Sequence, residues 1–179
     1  MANSRLRYRA GQFWHAVTAP REGVETRALQ PYLSPAQIVL FRRLQPFEQI
    51  HALQVLNRLK EAGLDDPDLL TAALLHDIGK ILSPLSIWER VEIVLSQRLF
   101  PRAVQEWGNG QARGLRHPFV VAEHHPAWGA GLAAQAGASA QVVSLINRHH
   151  DALVQPPASA TDRLLAALQH ADDPDGEHL

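Results

Sequence analysis

The chain has 179 residues, of which 46% are hydrophobic and 20% are charged, as is usual for one ordinary globular domain. Its formal net charge of −1 provides no global basic field that would recruit a nucleic acid polymer. The absence of cysteine excludes disulfides, thiolate zinc sites and cysteine nucleophiles, and no apolar run approaches the roughly 20 residues that span a bilayer.

In chain order, the apolar periodicity and the proline, glycine and Asx signals predict helices, with no convincing period-two alternation. The first half is predicted to contain a helix over residues 4–17, a connecting loop over 19–31, and helices over 34–44, 47–62 and 66–75. Pro46 is expected either to kink the helix that runs toward Leu44 or to begin a new one. Ser34, followed by Pro35 and Gln37, is a good start signal because it combines an N-cap, a first-turn proline and a capping box. Gly63 is expected to end the helix over residues 47–62.

The second half is predicted to contain a helix over residues 83–99, a short piece over 101–107, a loop over 108–116, and further helices. Two helices, over residues 118–125 and 128–135, are expected on either side of Pro126. Helices over residues 139–150 and 161–171 close the fold. The prediction is therefore all-α, with an N-terminal helical extension (1–33), one helical domain (34–173) and a frayed acidic tail (174–179).

The ten histidines, set against a single methionine, are the main oddity of the composition and point to metal. Taken singly, each candidate has a structural interpretation as a half-buried helix histidine, a cation at a helix C-terminus or a solvated helix end. Together they could converge on one point in a bundle, as ligands for divalent iron, manganese, zinc, nickel or cobalt. The candidate sites are His51, His76-Asp77, His124-His125, His149-His150, His170 and Asp172.

The order of these residues resembles the HD-domain superfamily of metal-dependent phosphohydrolases, over about residues 47–173. The matching elements are His51, the run His76-Asp77-Ile78-Gly79-Lys80, and Asp172. Two further motifs match the branch with extra histidines, namely His125-Pro126-x-x-Gly129 and His149-His150. The chain departs from the HD-GYP branch, which hydrolyses cyclic di-GMP, because neither the glutamate nor the Gly-Tyr-Pro element follows the double histidine. Cyclic di-GMP is therefore not the favoured substrate.

The resemblance implies a single HD-domain helical bundle with two divalent metal ions. The first ion would be held by His51, His76, Asp77 and Asp172. Asp77 would bridge to a second ion, bound by His125 and by His149 or His150, with His149 favoured. Lys80 would lie over the substrate phosphate as a point charge. His124 and Arg148 are weaker candidates for contacts with that phosphate, and His170 is expected to point elsewhere.

The pair His76-Asp77 requires one special feature of the backbone. Adjacent residues on a regular helix point about 100° apart, so both can reach one ion only where the helix ends. Gly79 is expected to permit that ending.

Three functions are compatible with this ligand set. The first is hydrolysis of a phosphate ester, preferably a nucleotide or dinucleotide, by hydroxide from metal-activated water, with Asp77 and Lys80 as the catalytic residues. The second is a di-iron oxygenase, because some relatives use four histidines and two aspartates to activate oxygen on a carbon substrate. The third is a regulatory domain that binds a nucleotide without turnover.

The expected partner is a small phosphorylated molecule rather than a nucleic acid polymer or a membrane. The N-terminus is basic but lacks the apolar core of a signal peptide, so a cytoplasmic location is expected. An N-terminal helix carrying Arg5, Arg7 and Arg9 could pack against a second subunit, as in a homodimer.

Overall fold

The computed structural model describes residues 26–86, 88–89, 93, 96, 107, 114–153 and 156–173. Within these ranges the chain is helical and contains no strand, which confirms the all-α prediction. The α-helices are α1 (Thr26–Leu29), α2 (Pro35–Phe41), α3 (Pro46–Glu61), α4 (Pro67–Leu75), α5 (His117–Gln135), α6 (Ala140–Arg148) and α7 (Ala160–Asp172). Two 3₁₀ segments cover Ile78–Leu82 and Gly114–Arg116. None of the helices in this described part combines the length and apolarity needed to cross a membrane.

Several predicted elements lie outside the described residues, namely the helix over residues 4–17, most of 83–99 and 101–107, and the tail 174–179. The predicted loop over residues 19–31 is wrong in part, because α1 is helical. Leu29 at the end of α1 is fully buried, and its carbonyl accepts hydrogen bonds from the backbone N–H groups of Tyr32 and Leu33. Burial of one leucine therefore anchors a helical turn that local signals did not reveal.

The predicted helix starts are confirmed by their caps. The Ser34 hydroxyl accepts a hydrogen bond from the backbone of Gln37, whose side chain accepts one from the backbone of Ser34, so both halves of the capping box form. Asp66 caps α4 by accepting from the backbone of Leu69. Gly63 follows the end of α3 with a φ of 74°, a left-handed conformation that glycine adopts at helix ends.

Helix α4 lies at the centre of the fold and packs against α2, α3, α6 and α7. Six of its nine residues are buried, as expected for a helix that is apolar on most sides. Fully buried side chains from two of the neighbouring helices complete this part of the core: Leu145, Ile146, Leu165 and Leu168. Because α4 ends inside the core, His76 and Asp77 are carried into the interior.

Helix α5 runs without interruption through Pro126, so the prediction of two separate helices is wrong. Proline lacks the backbone N–H that would bond to the carbonyl of Ala122, four residues earlier. That carbonyl instead accepts a hydrogen bond from Nδ1 of His125, at 2.9 Å, and the same nitrogen lies 3.0 Å from the carbonyl of Val121. A histidine side chain thus replaces the missing backbone donor and satisfies the acceptor.

The segment Ile78–Leu82 crosses α5 with the two backbones in close contact. A Cβ on Gly79 would overlap the carbonyl oxygen of His125 and would lie 2.8 Å from the backbone nitrogen of Gly129. The expected helix end at the pair His76-Asp77 is confirmed, because α4 ends at Leu75 and His76 is its C-cap. Gly79 is also needed for the close approach of the two elements.

Candidate metal centre

Three buried histidines, His76, His125 and His149, share one local geometry. In each, Nδ1 lies within hydrogen-bond distance of the backbone carbonyl three residues earlier. A carbonyl can only accept, so Nδ1 carries the hydrogen, and in a neutral ring Nε2 presents a lone pair. Such second contacts are how proteins orient imidazole ligands of metals. The acceptors are Ala73, Ala122 and Ile146, at 2.9, 2.9 and 2.7 Å.

Two of these rings meet in an inner group formed by His125, His149 and His150. Burial lowers the pKa of both His125 and His149, so both rings are neutral. Their Nε2 atoms lie 3.2 Å apart, with a lone pair on each. Two acceptors cannot bond to one another, but they can share a cation. Nitrogen ligands at about 2.1 Å from one ion, at an angle near 90°, lie roughly 3 Å apart, so the spacing fits a shared metal.

His150 is the outermost member of the inner group. It is exposed, whereas His149 is buried, and its ring centroid lies 4.9 Å from that of His125 and 4.2 Å from that of His149. The structure thus brings both residues of the double histidine to the group, with His149 inside and His150 at the solvent edge.

An outer group is formed by His51, His76 and Asp172. His51 Nε2 lies 2.7 Å from Asp172 Oδ1. His76 Nε2 is buried and has no hydrogen-bond partner among the described residues; the nearest carboxylate oxygen, on Asp172, is 3.5 Å away. Burial alone lowers the pKa of His76, but the charges of Asp77 and Asp172 outweigh it and raise that pKa to about 9. This group also presents nitrogen and oxygen donors in a set that divalent metals accept.

Asp77 lies between the two groups. Its Oδ1 is 3.2 Å from His125 Nε2, and its Oδ2 is 3.6 Å from His76 Nε2. The ammonium of Lys80 lies 2.6 Å from Oδ1. Burial raises the pKa of Asp77, but Lys80 and His76 outweigh it and hold that pKa well below its usual value. Asp77 is therefore an ionised carboxylate with one oxygen facing each group.

Arg148 and His124, which are predicted to contact the substrate phosphate, have other partners among the described residues. Arg148 donates to the carboxylates of Asp162, at 2.9 Å, and Asp151, at 3.3 Å. His124 stacks on Trp128, with 5.9 Å between the ring centroids. Contact of Arg148 or His124 with a substrate stays a prediction.

A cavity of about 190 Å³ adjoins the inner group on the side of His150. Its polar lining includes the carboxylates of Glu123 and Asp151 and the amide of Asn147. The cavity is therefore lined by one amide and two carboxylates, of which that of Asp151 is paired with Arg148, beside a histidine that belongs to the candidate centre.

Two supporting residues escaped prediction from the sequence. The side-chain amide of Gln169 donates to the backbone carbonyls of His149, at 3.0 Å, and Asp151, at 2.8 Å. Arg58 donates to the carbonyl of Ala171, at 2.8 Å. These contacts hold the segments that carry His149 and Asp172. Their partners are 18 to 113 positions away, so no local pattern could have revealed them.

A family model described as HD domain matches residues 49–175, which is more than half of the chain. The matched range begins just before His51 and ends just after Asp172, so it contains both groups. No curated protein and no solved structure matches the chain.

Proposed function

The chain belongs to the HD domain family, a superfamily of metal-dependent phosphohydrolases, and from that premise we propose that it hydrolyses a small phosphate ester at a dinuclear metal centre. A nucleotide is the preferred substrate. The observation that carries the proposal is the pair of neutral imidazoles, His125 and His149, whose Nε2 atoms face each other at 3.2 Å beside ionised Asp77. This arrangement favours a cation at their meeting point.

In this proposal each group holds one divalent ion and Asp77 serves both. The outer ion would be held by His51, His76 and Asp172. The inner ion would be held by His125 and His149, with exposed His150 as a further candidate ligand. When bound, the ions supply Lewis acidity toward phosphoryl oxygens and lower the pKa of water.

The protein's own charges act on the substrate through Lys80. Its ammonium is fixed beside Asp77, and its side chain is 17% exposed, so it is accessible from the solvent side. A cation held there can bind a phosphate oxygen and stabilise charge that develops on it. Lys80 thus favours an anionic substrate and supports the hydrolase over the di-iron oxygenase, which has the same four histidines and two aspartates.

In the same proposal, the cavity beside His150 takes the leaving group. The carboxylate of Glu123 disfavours a second phosphate and suits a group that donates hydrogen bonds, whereas the carboxylate of Asp151 is already paired with Arg148. Ribose hydroxyls and the amino groups of nucleobases are such donors. A nucleoside monophosphate therefore fits better than a nucleoside polyphosphate.

The test is hydrolysis by the protein, purified without chelator and supplied with Mn²⁺, Co²⁺, Ni²⁺ or Fe²⁺. It is followed as phosphate release from monoesters and polyphosphates, and by chromatography of the products for the diesters, whose cleavage releases no phosphate. The panel contains nucleoside mono-, di- and triphosphates, dinucleotides, cyclic di-GMP and p-nitrophenyl phosphate. The proposal predicts metal-dependent turnover, strongest for a monophosphate and weak for cyclic di-GMP. Loss of turnover with EDTA, and its return with metal, would identify the ions as essential.

The same preparation separates the other two functions. Oxygen consumption by the Fe²⁺ form with a mixed-valence iron signal, without phosphate release, would replace the hydrolase by the oxygenase. Tight nucleotide binding by metal-loaded protein without any turnover would make the domain regulatory.

A further inference from the structure

Apart from the metal centre, three polar side chains form a line of short hydrogen bonds. The hydroxyl of Ser83 lies 2.7 Å from Nε2 of His117, and Nδ1 of His117 lies 2.6 Å from Oε1 of Glu89. Ser83 directly follows the segment Ile78–Leu82, and His117 is the first residue of α5. The side chains of His117 and Glu89 are 22% and 27% exposed, so solvent reaches this line.

The carboxylate of Glu89 is held by a second set of contacts. Its Oε2 accepts a hydrogen bond from the backbone of Ser86, at 2.7 Å, and the hydroxyl of Ser86 accepts one from the backbone of Glu89. These are the reciprocal contacts of a capping box, which leave Oε1 for His117. Desolvation raises the pKa of Glu89, but hydrogen bonds from Ser86 and His117 outweigh it and lower that pKa.

The ionised carboxylate determines the direction of both hydrogen bonds. Glu89 can only accept, so Nδ1 of His117 donates to it. In the neutral ring Nε2 is then an acceptor, and the hydroxyl of Ser83 donates to it. A serine, a histidine base and a carboxylate joined in this atomic order form the arrangement that activates serine nucleophiles on unrelated folds.

We propose that Ser83, His117 and Glu89 form a second reactive site that takes neutral carboxylic esters. Ser83 is its nucleophile, His117 its general base and Glu89 its positioning residue. The negative charge of Glu89 disfavours anionic phosphate esters, so the substrate class differs from that of the metal centre.

The reaction balances with water as the only co-reactant. The Oγ atom of Ser83 bonds to the ester carbonyl carbon while the bond from that carbon to the alcohol oxygen breaks. The hydroxyl proton passes to Nε2 of His117 and then to the departing alkoxide. Water, deprotonated by the same nitrogen, next cleaves the acyl-serine, which releases the carboxylic acid and restores Ser83.

The test uses the full-length protein with a fluorophosphonate probe, peptide mass spectrometry to find the adduct, and p-nitrophenyl acetate for turnover. We expect an adduct on Ser83 that is absent from Ser83→Ala. His117→Asn and Glu89→Gln should slow both labelling and ester turnover by about 100-fold or more, as for loss of general base catalysis. Ser144→Ala, at a half-buried serine on α6, is the matched control and should label normally.

Glu89→Gln separates positioning from structure, because glutamine also serves in a capping box. It should lower kcat without raising KM, while the circular dichroism spectrum and the unfolding midpoint stay unchanged. Asp77→Asn should leave labelling intact, and Ser83→Ala should retain metal and phosphate release, so the two sites can fail independently. The proposal is overturned if folded protein gives no adduct on Ser83, or if His117→Asn or Glu89→Gln labels at the wild-type rate.

Discussion

Without metal, the outer and inner histidine groups differ in their protonation and in the carboxylates around them. In the outer group, Asp172 Oδ1 lies 2.7 Å from His51 Nε2. The neighbouring carboxylates raise the pKa of His76 to about 9, so a proton on His76 balances part of their negative charge. In the inner group, His125 and His149 are neutral and their lone pairs face each other. A metal must displace a proton in the outer group, whereas the inner group has no such competitor.

Burial does not separate the two groups. Each has one member at the solvent edge, namely His51, whose side chain is 34% exposed, in the outer group and exposed His150 in the inner group. Each also contains buried imidazoles, so the difference between the groups lies in their charge. We therefore expect the inner ion to bind more tightly and to exchange more slowly than the outer ion. Similar donor atoms near neighbouring helix ends thus form two groups of different character because the surrounding charge differs.

The largest expected effect comes from Asp77, which the two groups share. Asp77→Asn keeps the shape but removes the charge that would face both proposed ions. Phosphate release should fall by roughly 1,000-fold or more, equivalent to about 4 kcal/mol of lost transition-state stabilisation. Steady-state kinetics at saturating metal measure it, with the exposed Asp65→Asn as the control. Near-normal activity in Asp77→Asn would mean that the groups do not act together.

In the metal-free protein, the two groups should change the free energy of unfolding in opposite directions as the pH rises. His76 has a raised pKa in the fold, so its contribution is fully present below pH 6.5 and disappears as pH rises to about 9. That loss is about 3 kcal/mol at 1.36 kcal/mol per pKa unit. His125 and His149 have lowered pKa values, so the neutral pair destabilises the fold as pH falls below 6.5, where the unfolded chain takes up protons.

Urea unfolding of chelator-treated protein between pH 5 and 10 measures the loss of stability both above and below pH 6.5. Stability should be greatest near pH 6.5 and should decrease on either side. A stability that rises steadily from pH 6.5 to 9 would contradict the charge balance assigned to the outer group.

Gly79→Ala tests the backbone crossing that brings Asp77 next to His125. The added methyl group would overlap the carbonyl of His125, so we expect a loss of about 1–3 kcal/mol in the free energy of unfolding, as for overpacked interiors. Gly131→Ala on α5 is the matched control, because its Cβ would meet nothing within 4 Å among the described atoms. There the helix propensity of alanine should add up to about 1 kcal/mol. Equal effects at both positions would rule out the close crossing.

Pro126→Ala should have the smallest effect, confined to the inner group. Alanine restores an N–H that competes with His125 for the carbonyl of Ala122, so the imidazole is held less firmly. Inner-site metal affinity should fall by about tenfold, the lower range for loss of a supporting contact to a ligand. Thermal stability should rise, because proline is unfavourable inside a helix. Calorimetric metal titration and thermal unfolding would detect these opposite changes; unchanged affinity would show that the carbonyl does not orient His125.

Two kinds of feature could be predicted from the sequence: short-range motifs, and residues whose order along the chain matches a known family. Ser34 and Gln37 form the expected capping box because that contact spans three residues. The ligand candidates could be identified because their order along the chain matches a family, which the comparison confirms at the level of the HD domain.

Other features depended on contacts between distant segments. The continuity of α5 depends on a side chain that replaces the donor lost at Pro126, so the usual rule for proline failed. The line formed by Ser83, His117 and Glu89 also depends on distant positions. His117 is 34 residues from Ser83 and 28 residues from Glu89, and no sequence motif contains all three. Gln169 likewise supports the double histidine from another helix.

The most direct test of the central claim is the metal content of the untreated full-length protein, compared with a His76→Ala/Asp77→Ala double variant. Elemental analysis should find more than one divalent transition metal ion per wild-type chain. The double variant should keep at most the inner ion, at reduced occupancy, while its circular dichroism spectrum stays helical. A double variant that retains the full wild-type metal content would contradict the assignment of the two groups as a metal centre.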